Sequence, residues 1–577
     1  MGRLTISYSN YCHDSGILFN RAVSKYFRNC GARNDSSESS RGSSSGENGT
    51  LDVERSICNG AYGRSNQKWE ETTCSESEED EFEGSVELID ENRLCYRAEG
   101  NANIVLSLSD SRQVLRLRKS AVDEHNRKDS NVDLRRFVKY STMTASLFSR
   151  RYVPEPKLAR LSCRRLEEFN ANLTKYRPVI RLNKEIRLCD GILYPDVAFL
   201  PEKLYPIELA QSGDAQDAKG LSFNTYCVEI KPKQGWSFLD ECHGDDPDRQ
   251  RAFLDYEKSI LPELMGVRKC RYCLYQYLKL QKNTVGKVSK YCPLDLYSGK
   301  PVRMLHAIKG LIGAPQNNFK LLRNGRIVYD EKQDKSVFNR VLKEIFSRDG
   351  RTKEERKTIF MNLIKEILLK DFTTYDEAPT CDRRLLSIRK NRKKKDTNLI
   401  HLRSCSPINY EFLPKNCALK QILDAQLLVK SSLLKIHTDT FRQDNSTADS
   451  FVYIDELFEK YVDYLEDCPC CGEREGNGNF SDTYLSEEER YQLGATAMDC
   501  SVMITFRRLT DREEIRLPPA AENHIVDIAS MQFLVNVTIT DLDPKSLDHH
   551  RKYLKQLRDS AGAYREFMAR IKRKSCG

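Results

Sequence analysis

Alternating and periodic apolar positions begin near residue 94 and continue toward the C-terminal end of the chain. Alternation predicts short strands at 103–109, 113–118, 226–231, 499–507 and 531–541. Spacing of three and four residues predicts helices at 251–265, 271–282, 301–312, 336–347, 354–370, 451–466 and 547–573. In 319–329 the pair Asn324-Gly325 predicts a hairpin, because a type I′ turn needs two residues with positive φ. The pattern predicts a mixed α/β protein in which small strands precede a larger, helix-rich part.

Residues 1–92 lack this pattern and are expected to form a disordered extension. The segment 35–49 is rich in Ser and Gly and nearly devoid of apolar residues, so it cannot bury enough surface to offset its ordering entropy. The acidic run 75–83 contains Ser75 and Ser77. It is interpreted as a solvated spacer, with a phosphorylated docking segment as the alternative.

Charge is divided unevenly between the two parts of the chain. Residues 1–92 hold 9 Lys and Arg against 17 Asp and Glu, a charge of −8, whereas the rest holds 84 against 67, a charge of +17. A basic body indicates an anionic partner: nucleic acid, acidic lipid or a phosphorylated small molecule. The tract 383–395 has eight Lys or Arg in thirteen residues. Three interpretations of this tract stay open: a nuclear-import signal, a surface patch that binds nucleic acid or another polyanion, or a solvated loop.

Apolar runs are too short for a membrane helix of about 20 residues, so we expect no membrane insertion. The N-terminal residues contain no long apolar segment of the kind a secretory signal needs. The 20 cysteines are scattered and are therefore interpreted as reduced thiols. We expect a monomer found in the cytoplasm and the nucleus.

The segment 229–236, Glu-Ile-Lys-Pro-Lys-Gln-Gly-Trp, carries the sharpest chemistry. Strand alternation places Glu229 and Lys231 on one face, and Pro232 ends the strand so that Lys233 points in a different direction. Two ammonium groups aimed apart at a strand end can hold two separate phosphate groups. Local chemistry alone leaves open a lysine-rich strand end that binds nothing.

This segment and several others, in the same chain order, resemble the motifs of the inositol-pentakisphosphate 2-kinase family. The others are 271–279 (RYCLYQYLK), 295–299 (DLYSG), 315–320 (PQNNFK), 499–501 (DCS) and 541–545 (DLDPK). The resemblance spans about residues 95–553. One such motif alone would be weak evidence for the resemblance, whereas the whole set in the same order is strong evidence.

The resemblance implies a two-lobed, kinase-like fold and a phosphoryl transfer. A β-rich N-lobe at 93–196 would cover the nucleotide, and a larger α/β C-lobe at 197–577, including the basic loop 383–395, would hold the substrate. The implied reaction transfers phosphate from ATP, with Mg²⁺, to the 2-hydroxyl of inositol 1,3,4,5,6-pentakisphosphate and gives inositol hexakisphosphate. Such a transfer depends on positioning and charge neutralisation rather than covalent chemistry.

By resemblance, Asp499 is the catalytic carboxylate at the attacking hydroxyl, assisted by Lys231, and Asp541 and Asp499 bind the Mg²⁺ carried by ATP. The implied ATP-binding residues are Gly100, Asn101, Asn103, Arg116, Asp196, Glu229, Lys231, Asn317, Lys320 and Asp541. The implied substrate-binding residues are Arg181, Lys233, Arg271, Tyr275, Lys279, Asn318, Lys545 and Tyr553. Arg offers phosphate a bidentate fork, and Lys offers a flexible point charge.

The chain departs from the family pattern at two places. Tyr275 stands where many members have His, and His549, beside His550 and Arg551, stands where another basic residue often follows Lys545. Plant members have a His/Cys zinc site, and here Cys468 and Cys471 offer two of the four ligands a structural Zn²⁺ needs. Because no convincing second pair follows, free thiols are favoured over zinc.

Three alternatives stay open at this point. The basic body fits a nucleic-acid-binding protein, although no motif of a known nucleic-acid module is present. An inositol polyphosphate multikinase would carry a PxxxDxKxG motif, which the EIKPKQGW segment lacks. A catalytically weak sensor of inositol hexakisphosphate would keep the cations without needing Asp499 and Asp541.

Overall fold

The structure is a computed structural model of the chain, and it describes most of the compact unit that spans Gly84–Gly577. The described residues are 86–108, 110–121, 134–205, 224–237, 267–346, 350–373, 412–436, 451–466, 485–509, 517–546 and 549–576. Outside them lie the predicted helix 251–265, the acidic run 75–83, the basic tract 383–395, Cys468 and Cys471.

Strands and helices divide the described residues into a strand-rich first part and a helix-rich second part. The strands are β1 (Glu87–Asp90), β2 (Leu94–Glu99), β3 (Asn103–Leu108), β4 (Gln113–Ala121), β5 (Lys157–Ser162), β6 (Lys184–Pro195), β7 (Tyr226–Ile230), β8 (Phe319–Arg323), β9 (Arg326–Tyr329), β10 (Ser501–Arg508), β11 (Ile525–Ile528) and β12 (Met531–Thr540). The α-helices are α1 (Leu134–Leu147), α2 (Leu166–Thr174), α3 (Arg271–Gln281), α4 (Pro293–Leu296), α5 (Pro301–Gly313), α6 (Lys335–Ile345), α7 (Lys353–Leu369), α8 (Ala418–Ile436), α9 (Tyr453–Glu466), α10 (Glu487–Ala497) and α11 (His549–Cys576).

The strands and helices predicted within the described residues are confirmed to within a few residues at their ends. The hairpin β8–β9 turns at Asn324 and Gly325, whose φ angles are 47° and 73°, as a type I′ turn requires. One boundary needs correction: β1 lies inside the range 1–92 and pairs in parallel with β5, so ordered structure begins before residue 92. The apolar pattern also missed β2, β5, β6, β11, α1, α2, α4, α8 and α10.

The first lobe is a six-stranded sheet with the order β1-β5-β6-β4-β3-β2. All its pairings except β1–β5 are antiparallel. Along β3 and β4 alternate residues are buried, including Ile104, Leu106 and Leu115, and they form a core with Phe169 of α2. The sheet is therefore a platform with one packed face, and the loop between β2 and β3 extends from its edge.

The second lobe is built on a six-stranded antiparallel sheet with the order β11-β12-β10-β7-β8-β9. Its central strands are buried along most of their length, and helices cover them. In register, Ile230 at the end of β7 pairs with Val502 near the start of β10, and Ser501 pairs with Thr540 at the end of β12. Three chain segments that are distant in sequence therefore leave the sheet at the same edge.

Both lobes together form a mixed α+β, kinase-like fold, which confirms the predicted fold class. In the second lobe α8 packs closely on α10, because Gly494 leaves room for the backbone of the neighbouring helix. Among the helices of the described ranges, none is long and apolar enough to cross a membrane.

We expect Gly494→Ala to lower the free energy of unfolding by about 1–3 kcal/mol, because overpacking a close helix contact strains it. The added Cβ would lie 2.7 Å from Val429 and 2.8 Å from the Ala425 carbonyl oxygen. Urea denaturation measures the change. Gly562→Ala in α11 is the matched control, since nothing lies within 4 Å of its added Cβ. Equal losses in the two variants would contradict this account of the helix contact.

Candidate active site

Four strand ends meet at one edge of the second sheet and bring the predicted motifs together. Lys231 and Lys233 follow β7, Asp499 precedes β10, and Asp541 follows β12. The chain before β8 joins them, because the Lys231 backbone N–H donates to the Asn318 carbonyl oxygen at 3.0 Å. The motifs EIKPK, PQNNFK, DCS and DLDPK thus form one site although hundreds of residues separate them.

Alternating charges along the EIKPK segment each meet an opposite charge from a different strand. Glu229 accepts from Lys320 Nζ at 2.6 Å across the β7–β8 ladder. Lys231 Nζ lies 2.7 Å from Asp541 Oδ2. Lys233 Nζ lies 2.7 Å from Asp499 Oδ1, and Lys545 Nζ lies 3.9 Å from Asp499 Oδ2. The two predicted aspartates, Glu229 and the four predicted lysines therefore form one array of opposite charges.

Both aspartates of the array face solvent, which leaves them open to a ligand. The Asp541 side chain is 44 % exposed and that of Asp499 is 58 % exposed, whereas Lys231 is only 16 % exposed. Ser501 Oγ also donates to Asp541 Oδ2 at 2.8 Å. Mg²⁺ is usually bound by one or two carboxylates together with water and phosphate oxygens, so the exposed carboxylates of Asp541 and Asp499 have the chemistry that this ion needs.

The cations keep both carboxylates ionised. Partial desolvation would raise the pKa of Asp541, but Lys231 and Arg116 outweigh it and hold that pKa well below its ordinary value. The pKa of Asp499 is lowered in the same way, since Lys233 and Lys545 overcome desolvation. Burial opposes the charge on Lys231, yet Asp541 and Glu229 raise its pKa above the ordinary value.

Strained backbone concentrates at this edge of the sheet. Lys233, Gln316, Asn317 and Asp541 all have positive φ although none is glycine, with values of 61°, 43°, 63° and 60°. Such conformations cost about 1–3 kcal/mol each and are typical of functional sites, where the surrounding structure enforces them. The sharp turn at Lys233 separates its ammonium group from that of Lys231, as Pro232 predicts.

A second group of cations lies beside the array on α3, and one of them packs against α11. The Arg271 guanidinium stacks 4.4 Å from the centre of the Tyr553 ring and donates to Gln556, while its Nε, although buried, has no hydrogen-bond partner. Lys279 Nζ lies 5.3 Å from the centre of the Tyr275 ring. Burial and the nearby Lys233 ammonium lower the pKa of Lys279. Among the described residues no carboxylate pairs with Arg271 or Lys279, so a polyanionic ligand could neutralise them.

The side chains of Tyr553 and His549 form hydrogen bonds within the protein, so neither is free to contact a ligand in the way its sequence position suggests. The Tyr553 side chain is buried, and its hydroxyl donates to Gln234 at 2.9 Å, so it orients Arg271 rather than facing an open site. His549 Nδ1 lies 2.9 Å from the Tyr491 hydroxyl. Burial, Lys545 and Arg271 lower the pKa of His549 to about 4. His549 is therefore a neutral neighbour of the cations near neutral pH.

The first lobe contributes Arg116, which reaches the second lobe. Its guanidinium pairs with Asp543 in the DLDPK segment, and the amide oxygen of Asn103, in its favoured orientation, accepts from Arg116 Nε at 3.2 Å. Asp196 follows β6 and pairs with Arg97 at 3.3 Å, while burial raises the Asp196 pKa. The predicted nucleotide residues of this lobe thus lie in the loop between β2 and β3, on β3 and β4, and directly after β6.

The structure does not bring Arg181 into the cationic group around Arg271. Its guanidinium instead donates to Asn101 Oδ1 at 3.3 Å, in the loop beside Gly100. Of the two asparagines before β8, Asn318 is buried and donates to the Tyr272 hydroxyl at 3.1 Å. Asn317 is exposed. Arg181 and Asn101 thus contact each other in the first lobe, whereas Asn317 and Asn318 lie directly before β8 in the second.

Several supporting residues escaped the sequence analysis. Gln426 of α8 is buried and accepts from the Gly235 backbone N–H at 2.7 Å while donating to the Lys233 carbonyl oxygen at 3.0 Å. The Tyr291 hydroxyl donates to the Pro232 carbonyl oxygen at 2.6 Å. Both hold the turn that aims Lys233. Neither lies in a motif with charge or spacing that signals this role.

Three thiols form the set of His, Cys, Asp or Glu side chains that could hold a metal ion in the described residues. The sulfur atoms of Cys270, Cys273 and Cys292 lie within 4.8 Å of one another, around the first turn of α3. Three thiolates suit a thiophilic ion but are one ligand short of the four of structural zinc. The zinc expectation at Cys468 and Cys471 concerns residues outside the described ranges.

Comparisons with known proteins agree with the motifs. The family model described as inositol-pentakisphosphate 2-kinase matches residues 96–559. A zebrafish (Danio rerio) protein named inositol-pentakisphosphate 2-kinase is 26 % identical over 491 residues, covering 80 % of this chain and 90 % of its own length. A protein of the same name from Drosophila melanogaster is 27 % identical over 319 residues, covering 44 % of this chain and 51 % of its own length. One from Arabidopsis thaliana is 29 % identical over 252 residues, covering 43 % of this chain and 48 % of its own length.

We expect Lys279→Met to raise the urea midpoint of the ligand-free protein at neutral pH. The folded state lowers the pKa of this lysine, so its charge costs stability below that pKa. The gain should shrink as pH rises toward about 10.4, where the unfolded lysine also loses its proton. Lys309→Met, at an exposed site on α5, is the control and should leave the midpoint unchanged. A lower midpoint for Lys279→Met would contradict this account.

Proposed function

The chain belongs to the inositol-pentakisphosphate 2-kinase family, and we propose that it transfers the γ-phosphoryl group of ATP to the 2-hydroxyl of inositol 1,3,4,5,6-pentakisphosphate. The product is inositol hexakisphosphate. The array of Lys231–Asp541 and Lys233–Asp499 pairs beside the unneutralised Arg271 carries the proposal. It supplies carboxylates for a metal and a proton, and it places cations on two sides of them.

In the proposed reaction the 2-hydroxyl oxygen attacks the γ-phosphorus of ATP in line with the leaving group. The new bond joins that oxygen to phosphorus, the bond from phosphorus to the β–γ bridging oxygen breaks, and Asp499 accepts the hydroxyl proton. Lys231, Lys320 and Arg116 neutralise phosphate charge on the nucleotide. Asp541, with Asp499, would hold Mg²⁺, which supplies further neutralisation when bound.

Substrate binding would release the catalytic carboxylate from its cations. In the ligand-free structure Lys233 and Lys545 lower the pKa of Asp499, which makes it a weak base. A substrate phosphate that pairs with Lys233 competes with Asp499 for the same ammonium group. The Asp499 pKa then rises toward its ordinary value, so the carboxylate becomes a better proton acceptor when substrate is in place.

The remaining cations define the proposed substrate pocket. Arg271 and Lys279 on α3 and Lys545 before α11 face the array, with Tyr275, Tyr553 and Asn318 supporting them. Arg181 would approach from the first lobe. A site for five phosphates needs this excess of positive charge, whereas nucleic-acid binding leaves the paired aspartates unexplained. Monomeric state and a cytoplasmic and nuclear location remain part of the proposal.

We expect Asp499→Ala to lower kcat by at least about 100-fold, because it removes the proton acceptor. Binding of an ATP analogue should persist. The polyanion should bind at least as tightly, since Lys233 and Lys545 lose a competing carboxylate. Steady-state kinetics and titration calorimetry measure these quantities, with the exposed Asp527→Ala as the control. Turnover within a few-fold of the wild type would remove Asp499 from the reaction.

Lys233→Ala and Lys320→Ala should separate the two halves of the site. We expect Lys233→Ala to raise the KM for inositol pentakisphosphate by about tenfold or more, because it removes a charged phosphate contact. Lys320→Ala should raise mainly the KM for ATP. The two lysines serve as each other's control, because each pairs with a carboxylate of the array. A Lys233→Ala effect confined to the ATP KM would reverse the assignment.

A further inference from the structure

Three charged side chains form a buried cluster in the first lobe, behind the loop at Gly100. Arg177 donates to both carboxylate oxygens of Glu99, from Nε at 3.0 Å and from Nη2 at 2.9 Å. Lys119 Nζ pairs with Glu99 Oε2. The Glu99 and Lys119 side chains are 0 % exposed and that of Arg177 is 3 % exposed. None of the three was among the predicted site residues, although Glu99 begins the segment 99–105 that resembles the family's loop over ATP.

The strands are distorted where they carry these charges. The β2–β3 ladder shifts register between Tyr96 and Ala98, just before Glu99. The β4–β6 ladder shifts register between Leu117 and Lys119. Register shifts of this kind re-aim a side chain from one face of a sheet to the other and recur beside functional sites. The shift in β2 turns Glu99 to the face of Ile104, its partner in β3, whereas Lys119 reaches that face by the regular alternation of Leu115, Leu117 and Lys119 along β4.

Each cation of the cluster also binds a loop that carries predicted ligand contacts. Lys119 Nζ donates to the Gly100 carbonyl oxygen at 2.9 Å, and its backbone N–H donates to the Ala102 carbonyl oxygen at 2.8 Å. Arg177 Nη2 donates to the carbonyl oxygens of Arg181 and Lys184, at 2.8 Å and 2.6 Å. One carboxylate therefore links the nucleotide loop at 100–102 to the turn at 179–181.

The free-energy cost of burying these charges indicates that the cluster fixes the position of the two loops rather than adding to stability. Buried charges pay a large desolvation penalty, and well-packed apolar residues often stabilise a protein as much or more. Fully satisfied buried networks instead fix one geometry. Here every charged group is hydrogen-bonded, and the bonds end on the carbonyl oxygens of the two loops. On the exposed side, Arg181 Nη1 donates to Asn101 Oδ1 at 3.3 Å and links the same two loops directly.

We propose that Glu99, Lys119 and Arg177 are positioning residues that hold the nucleotide loop and the Arg181 turn as one unit, so that ATP and the inositol phosphate each order the other's contacts. The proposal rests on the proposed kinase function. It assigns no direct ligand contact to the cluster. Its consequence is that damage to the cluster changes the affinity for both ligands together.

Arg177→Lys tests this without removing the buried charge. Lysine can still pair with Glu99, but its single ammonium group cannot replace both Nε and Nη2, which together bind Glu99 while Nη2 also donates to the two carbonyl oxygens. We expect the KM values for ATP and for inositol pentakisphosphate to rise together, each by about fivefold or more, with kcat within about threefold. The control is Arg160→Lys in the same lobe. Arg160 forms an exposed ion pair with Asp190, so this substitution should change neither KM. Arg181→Ala should raise the KM for inositol pentakisphosphate more than that for ATP, because the variant keeps the backbone carbonyl oxygen that Arg177 binds.

A change in kcat or thermal midpoint with both KM values unaltered would overturn the positioning role and leave the kinase function standing. Absence of kinase activity in the wild type would overturn both. Hydrogen exchange on the wild type gives an independent test if Arg177→Lys does not fold. A non-hydrolysable ATP analogue should protect amides at 179–184, and inositol pentakisphosphate should protect those at 100–103. Protection confined to each ligand's own segment would contradict the proposal.

Discussion

The antiparallel register of β7, β10 and β12 is the constraint on which the site depends. Because Ile230 pairs with Val502 and Ser501 pairs with Thr540, the next residues of each strand leave the sheet at the same edge. A shift of one residue in any ladder would reverse which face each side chain occupies. The pairing of Lys231 with Asp541 is thus a property of the whole sheet, and the buried core that fixes the register also fixes the chemistry.

The two aspartates of the array pair with lysines in the absence of ligand. Lys231 and Lys233 hold Asp541 and Asp499 ionised, a phosphate group could bind the same ammonium groups, and both carboxylates are exposed to a ligand. The strained backbone at Lys233 and Asp541 belongs to the same arrangement, since buried Gln426 and Tyr291 hold the turn from behind. Preorganisation of this kind lets phosphoryl transfer proceed by positioning and charge neutralisation.

The sequence predicted local geometry well, because local geometry follows from local rules. Alternation placed Glu229 and Lys231 on one face, and Pro232 predicted the turn at Lys233. Asp541 and Asp499 were found only through family resemblance, since each meets its lysine across more than 260 residues, 310 for Asp541 and 266 for Asp499. No local pattern encodes a pairing of that range. The burial of Glu99, Lys119 and Arg177 was missed because apolar alternation does not count charged residues as buried. Lys119 continues the buried alternation of β4, and a shift of register in β2 turns Glu99 inward.

The identity of the product tests the central claim most directly. Purified protein would be incubated with Mg-ATP and inositol 1,3,4,5,6-pentakisphosphate, and the products resolved by anion-exchange chromatography and phosphorus NMR. The account predicts inositol hexakisphosphate, formed with one ADP for each molecule and carrying the new phosphate on the axial 2-position. ADP with free phosphate, a product phosphorylated elsewhere, or unchanged pentakisphosphate would contradict it.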